Sequence, residues 1–226
     1  MTVRRVDDVW MARLIGLTAI AFSALYFISD VIELLQGGFS TFQLALTYAA
    51  EAAIPLFVLG LYVVQRPQIG RLGFLGAATY AYTFVFFTST VVYALVNHTD
   101  DWETLQKAFG AWITIHSVLM VVAGVMFGVG VIRARVLARW TGISLIAGTL
   151  LMVATSGLPD ATRTMSAGVR DLAFAAMGVS LLRRSPLQTV LPTAPTRRNV
   201  VTPLAAERMA SGVTPDARLT DSFRDR

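Results

Sequence analysis

Glu51 lies in the stretch Tyr48-Ala-Ala-Glu51-Ala-Ala-Ile54-Pro55, near the middle of an apolar run long enough to span a bilayer as a helix. A carboxylate at that depth costs about 2.5–3.5 kcal/mol on insertion scales unless it finds a partner or water. Five other ionisable groups share its situation: Asp30 and Glu33, one helical turn apart, then His116, and the adjacent pair Arg170 and Asp171. Carboxylates inside a membrane bind cations or carry protons, a guanidinium neutralises or releases them, and an imidazole can relay a proton. Counting from the expected span ends, Glu51 and His116 sit about eight residues, or ~12 Å, from one end, with Arg170 and Asp171 shallower. All six therefore fall in one half of the membrane, the outer half on the topology derived below.

The neighbours of these groups should be hydrogen-bonding side chains. In the third apolar block Thr79, Tyr82, Thr83, Phe86, Ser89, Thr90 and Tyr93 fall within an arc of about 120°. Lipid does not favour such a stripe, so it is expected to face the bundle interior, with Tyr82 and Tyr93 donating to the carboxylates. Arg170 and Asp171 are consecutive and leave a helix in different directions. The expectation is that Arg170 reaches Glu51 or Asp30, while Asp171 finds His116, a tyrosine or water. Pro55, just beyond Glu51, can open the second helix and free backbone carbonyls.

Other chemistry is limited by composition. The 226 residues include no cysteine, so disulfides, thiol nucleophiles and Cys-type metal sites are excluded. The only histidines are His98 and His116, too few for a typical catalytic zinc site. No metal and no cofactor is expected. The net charge of +5 is no signature of nucleic-acid binding, because the basic residues sit between hydrophobic blocks. The chain is 55% hydrophobic and only 15% charged, against about 25% charged in soluble domains.

The elements that must position these groups are six apolar blocks: Met11–Leu35, Gln43–Val64, Leu72–Val96, Ala108–Ile132, Ala138–Gly157 and Ser166–Leu182. Each is read as a transmembrane helix, giving an all-α polytopic membrane bundle over residues 1–184. Strands are not expected, since the blocks lack the alternation of a membrane barrel. Arg4, Arg5 and Arg13 flank the first block, Arg66 and Arg71 follow the second, Arg133, Arg135 and Arg139 follow the fourth, and Arg183 and Arg184 close the sixth. The other junctions are uncharged, acidic or balanced, so both termini are expected in the cytoplasm, with the protein in the inner (plasma) membrane. The first block is too long for a signal-peptide core of 7–15 residues and is read as retained. Gly124 and Gly128 form a small-xxx-small pair for helix packing. Arg13-Leu-Ile-Gly16, Arg71-Leu-Gly73 and Arg139-Trp-Thr-Gly142 recur at the starts of odd-numbered helices, most simply as arginine anchors next to packing glycines.

Between the third and fourth blocks, Asp100 and Glu103 have the spacing of a capping box. A short helix lying on the outer surface is expected there. Residues 185–226, with several prolines and no apolar period, are read as a disordered cytoplasmic tail. Thr202-Pro203 and Thr214-Pro215 have the form of phosphoacceptor sites within it, although a plain solvated tail is the simpler reading.

Ala12-Arg13-Leu-Ile-Gly16-Leu and the run Gly130-Val-Ile-Arg133-Ala-Arg135-Val-Leu-Ala-Arg139-Trp140-Thr-Gly142 resemble uncharacterised bacterial multi-pass membrane proteins of six or seven helices, grouped as domains of unknown function. The resemblance implies a helical membrane fold and no activity or site residue.

Three functions follow from these residues. The first is binding or transport of a small cationic, polar or lipid-like ligand at Glu51, His116, Arg170, Asp171, Asp30, Glu33, Tyr82 and Tyr93. The second is an accessory role in a larger membrane complex, with protein partners or a second copy of the chain. The third is an intramembrane hydrolase using His116, Glu51 and Asp171, for which no nucleophile motif is present. Beyond the lipid bilayer, no partner is specified.

Overall fold

The structure is a computed structural model and describes residues 3–183. The tail expected at 185–226, with its two Thr-Pro sites, lies outside the described residues. Seven helices follow one another: α1 (Val3–Gln36), α2 (Thr41–Val63), α3 (Gly70–Asn97), the short α4 (Trp102–Phe109), α5 (Ala111–Ala134), α6 (Arg139–Ala154) and α7 (Asp160–Leu182). Among the described residues, five stretches are long and apolar enough to cross a membrane: Val9–Gln36 within α1, and α2, α3, α5 and α7. The protein is thus a multi-span all-α membrane bundle.

Six spans are expected, the last the shortest; five helices have spanning length, and it is α6, from the fifth block, that is short. Its 16 residues rise only ~24 Å, short of a hydrocarbon core of about 30 Å. The apolar block continues to Gly157, but the helix stops at Ala154. Thr155 folds its hydroxyl back onto the Leu151 carbonyl at 2.9 Å, with Ser166 Oγ as a second acceptor at 3.1 Å. Pro159 then holds the chain extended before the next helix. In compensation α7 begins at Asp160 rather than Ser166. Asp160 lies in its first turn, where a carboxylate complements the helix dipole, and pairs with Arg163 at 3.0 Å.

The six longer helices form a closed ring in the order α1, α2, α3, α5, α6, α7 and back to α1. Arg66, Arg135 and Arg183 mark one end of the ring, here the arginine end; α4 marks the other. Neighbours approach closely where side chains vanish. A Cβ added to Gly178 would lie 2.5 Å from the carbonyl oxygen of Gly16, and one on Gly142 would lie 2.7 Å from that of Gly128. Gly124 meets Thr149 and Tyr80, so Gly124 and Gly128 do bring α5 close to its neighbours. Gly16, Gly73 and Gly142, the glycines of the recurring Arg-Gly pattern, all lie at such approaches.

The ring is filled, not hollow. Phe57 packs edge-on against Phe174 at 5.5 Å, and Tyr80 against Phe174 and Phe84 at 5.5 and 5.1 Å. Toward the arginine end Ala19, Val58, Leu61, Leu145, Met177 and Leu181 complete an apolar plug.

The short helix α4 exists as expected, with one difference. Its cap is Asp101, not Asp100: the Asp101 carboxylate accepts the Thr104 N–H at 2.7 Å, and that bond holds its pKa below the usual carboxylate value. As expected, α4 lies on the outside of the bundle: most of its residues are exposed, Leu105 anchors it against Leu44, Val91, Ala94 and Ile113, and a break at Gly110, where φ is 55°, leads into α5.

Candidate functional site

The charges of the interior meet at mid-depth. Glu51 lies ten residues into α2, counting from Thr41, and Arg170 ten residues into α7, counting from Asp160, so each is ~15 Å from its helix start. Because α7 starts early, Arg170 lies as far along its helix as Glu51 does along α2, not shallower as expected. Glu51, Arg170 and Asp171 are 4%, 2% and 4% exposed.

Arg170 does not reach across to Glu51 or Asp30. Its Nε and Nη2 both donate to Asp171 Oδ1, at 3.0 and 2.9 Å. The two Cβ atoms diverge, but the arginine side chain is long enough to fold back over its neighbour. The guanidinium is then bracketed by aromatic faces, 5.1 Å from the Tyr26 ring centre and 5.8 Å from that of Phe84, and Nη1 donates to Met152 Sδ at 3.4 Å. The backbone beneath is tight: a Cβ on Gly148 would lie 2.6 Å from the Arg170 nitrogen.

Glu51 is met from α1. The Tyr26 hydroxyl donates to Glu51 Oε1 at 2.9 Å. Glu51 Oε2, Asp171 Oδ2 and the Tyr80 hydroxyl are buried and have no hydrogen-bond partner among the described residues. Pro55 adds a backbone acceptor. It stands four residues after Glu51 inside an unbroken α2 and has no N–H, so the helical bond that would close on the Glu51 carbonyl cannot form. Asp30 lies within electrostatic reach of Asp171, Arg170, Glu33 and Glu51 and is only partly buried.

One turn further along α1, Glu33 joins a separate polar knot. Gln43 Nε2 donates to Glu33 Oε2 at 3.2 Å and to Thr47 Oγ1 at 2.9 Å, and Ser29 and Thr47 share a 2.6 Å bond. These bonds tie α1 to α2 between the mid-depth charges and the α4 end.

His116 stands apart from the carboxylates. Its ring stacks on Phe86 with centres 3.6 Å apart. Nδ1 is 2.8 Å from the Trp112 carbonyl, which can only accept, so Nδ1 carries the proton. In the neutral ring Nε2 then accepts from the Tyr82 hydroxyl at 3.3 Å. Both ring nitrogens are engaged away from Glu51, Asp171 and Ser89, and the hydrolase arrangement is not assembled. Among the described residues no three His, Asp or Glu side chains are grouped to hold a metal ion.

The polar stripe of α3 is also corrected. Tyr82 is 57% exposed and Tyr93 39%, and neither bonds a carboxylate; Tyr93 packs on Phe109. Of the stripe, Thr83 and Thr90 are buried, on a face they share with Gly76, Ala77, Tyr80, Phe84 and Phe87. Thr83, Ser89 and Thr90 satisfy their hydroxyls on carbonyls three residues back in α3 at 2.6–2.8 Å. A hydroxyl bonded to its own helix needs no polar interior, so the stripe lost its power to orient α3. Tyr26, Tyr80 and Met152 were not singled out in the sequence. Of these only Tyr26 carried a signal, since it lies one turn before Asp30 on the same face of α1.

Two surface clefts, of about 300 and 240 Å³, lie at opposite ends of the ring. The larger opens between the α1–α2 turn and the end of α3, beside Ser40, His98 and Asp100. None of the mid-depth groups lines either cleft. No family model, curated protein or solved structure matches the chain.

Proposed function

We propose that this membrane protein takes up a small cation into its helical ring, with Glu51 and Asp171 as acceptors and Arg170 as the built-in charge that sets their balance. One observation carries the reading: Glu51 Oε2 and Asp171 Oδ2 are buried at mid-depth and unpartnered. A network kept only to lock helices together would satisfy both, since a half-satisfied buried charge is costly. Asp30 and Glu33 mark the approach from the α4 end. The apolar plug closes the other way, so the site is one-sided. Carriage across the membrane would require α2 to bend, and Pro55 places the weak point of its hydrogen-bond ladder between Glu51 and the plug.

In the proposed placement the arginine end faces the cytoplasm of the inner membrane, and α6, antiparallel to α5 and α7, makes a sixth, short crossing. Both chain ends then lie on the cytoplasmic side. The test is thermal unfolding of the purified protein against sodium, potassium, guanidinium and pH, in the wild type and Glu51→Gln. A rise in melting temperature that depends on Glu51 supports uptake; identical responses in both proteins refute it.

An accessory role is the second reading. The observation favouring it is Tyr82, mostly exposed in the middle of α3 with its hydroxyl bonded to His116. A partner helix packed there would cover this polar pair. Crosslinking from position 82 in membranes distinguishes the readings: a specific protein adduct favours a subunit, lipid adducts alone do not.

A further inference from the structure

Resting on the uptake reading, we infer that the cation is a proton, that it lodges on Glu51, and that Asp30 delivers it from the α4 end. The first reason is space. Glu51 Oε2, Asp171 Oδ2 and the Tyr80 hydroxyl are out of reach of a water-sized sphere. A metal ion such as calcium gathers about 6–8 oxygens around itself, and an organic cation needs a cage larger still. A proton needs no room beyond the O–H bond it forms.

The second reason is charge. The Arg170 guanidinium already occupies the cation position, paired with Asp171 and seated between Tyr26 and Phe84. A second persistent cation would be repelled by it. A proton instead disappears as a charge when it bonds to Glu51, leaving a neutral carboxyl beside an intact Arg170–Asp171 pair.

The third reason is the arrangement of acceptors. Tyr26 occupies Glu51 Oε1, which leaves Oε2 as the atom without a partner. The ionisable groups that face Glu51 are Tyr26 and Asp30 from α1 and Arg170 with Asp171 from α7; Tyr80 from α3 lies beside the same Arg170. Asp30, one turn after Tyr26 on α1, is the partly exposed carboxylate of this set. A hydronium at the α4 end gives its proton to Asp30 and leaves as water. The Asp30 O–H then breaks as the Glu51 O–H forms, and Asp30 returns to carboxylate.

Infrared difference spectroscopy of the full chain in lipid nanodiscs, stepped from alkaline to acid pH, tests this. The expected result is a protonated-carboxyl C=O band that grows on acidification and is missing from Glu51→Gln. Tyr26→Phe should keep the band but shift its frequency, because it removes the bond to Oε1. Asp30→Asn should keep the band but slow its shift when H₂O is exchanged for D₂O, a change that a purely structural role would not produce. A band that survives Glu51→Gln overturns the inference. If that variant does not fold, a band unmoved by Tyr26→Phe overturns it equally. The same nanodiscs titrated with sodium or guanidinium at fixed pH separate the two levels. Glu51-dependent stabilisation without a titrating Glu51 band refutes the proton and leaves cation uptake standing. Neither response refutes both.

Discussion

Arg170 and Asp171, neighbours in the chain, form the one buried ion pair among the described residues, with two guanidinium nitrogens on a single carboxylate oxygen at 2.9 and 3.0 Å. The other ion pairs, Glu103 with Lys107 and Asp160 with Arg163, are exposed. A pair between consecutive residues cannot fasten one helix to another. What joins α7 to its surroundings here is the aromatic seat of the guanidinium and its contact with Met152. The charge of α7 is thus balanced within α7, and Glu51 on α2 is left with only a tyrosine.

That division predicts a particular pattern of coupling. Arg170→Gln should destabilise the protein by about 3–5 kcal/mol, because Asp171 would remain as a buried unpaired charge. Adding Asp171→Asn should restore part of the loss, with a coupling of about 0.5–3 kcal/mol. Glu51→Gln combined with Arg170→Gln should be closer to additive. Chemical unfolding in detergent, read as a pair of double-mutant cycles, makes the comparison. A larger coupling for Glu51 than for Asp171 would contradict the geometry.

Gly148 should be intolerant of any side chain. A Cβ there would lie 2.6 Å from the Arg170 backbone nitrogen and 2.8 Å from its Cα, and neither atom can move aside alone. Gly148→Val is expected to cost about 1–3 kcal/mol through overpacking and to displace Arg170. Gly157→Ala, with nothing within 4 Å, is the matched control and should change stability by less than about 0.5 kcal/mol. Melting temperatures of the two variants, measured side by side, decide this.

Much of this was legible before any fold was known. Glu51, Asp30, Arg170 and Asp171 stood out because ionisable groups in apolar runs are costly, and the structure does bring these four together. The junction arginines marked one end of the ring for the same reason of cost. What stayed illegible depended on side-chain reach and local bonding. Cβ directions separate Arg170 from Asp171, and only the length of the arginine closes the gap. Thr83 and Thr90 read as seekers of a polar interior, but their hydroxyls are spent on their own helix. The end of α6 was hidden because Thr155, Ser156 and Gly157 extend an apolar block without extending the helix.

The absence of cysteine makes topology directly measurable, since any introduced thiol is the sole one in the chain. In intact cells a membrane-impermeant thiol reagent should label Asp100→Cys and Ser156→Cys and spare Gln68→Cys and Val136→Cys. Labelling of position 156 on the same side as position 136 would mean that α6 turns back without crossing.

At the α4 end, Asp101→Ala should fray the short helix. Asp101 has its pKa lowered in the folded state, so its contribution is fully present above the unfolded carboxylate value of about 3.9 and fades as pH falls through the folded one. Amide exchange across Trp102–Phe109 should therefore be faster in the variant at neutral pH, with the difference shrinking in acid. A difference that persists unchanged in acid would assign the effect to something other than the carboxylate cap.

The shortness of α6 reaches beyond the protein to the lipid around it. With α5 of 24 residues on one side and α7 of 23 on the other, the 16-residue α6 leaves a notch in the hydrophobic belt. Where α6 ends, the Thr155 and Ser166 hydroxyls are buried and bonded to each other. Acyl chains there must thin to meet headgroups that come closer to the bilayer midplane than elsewhere. The polar boundary is thereby drawn toward the level of Arg170, and bilayers of shorter chains should fit this protein better than thick, sterol-rich ones.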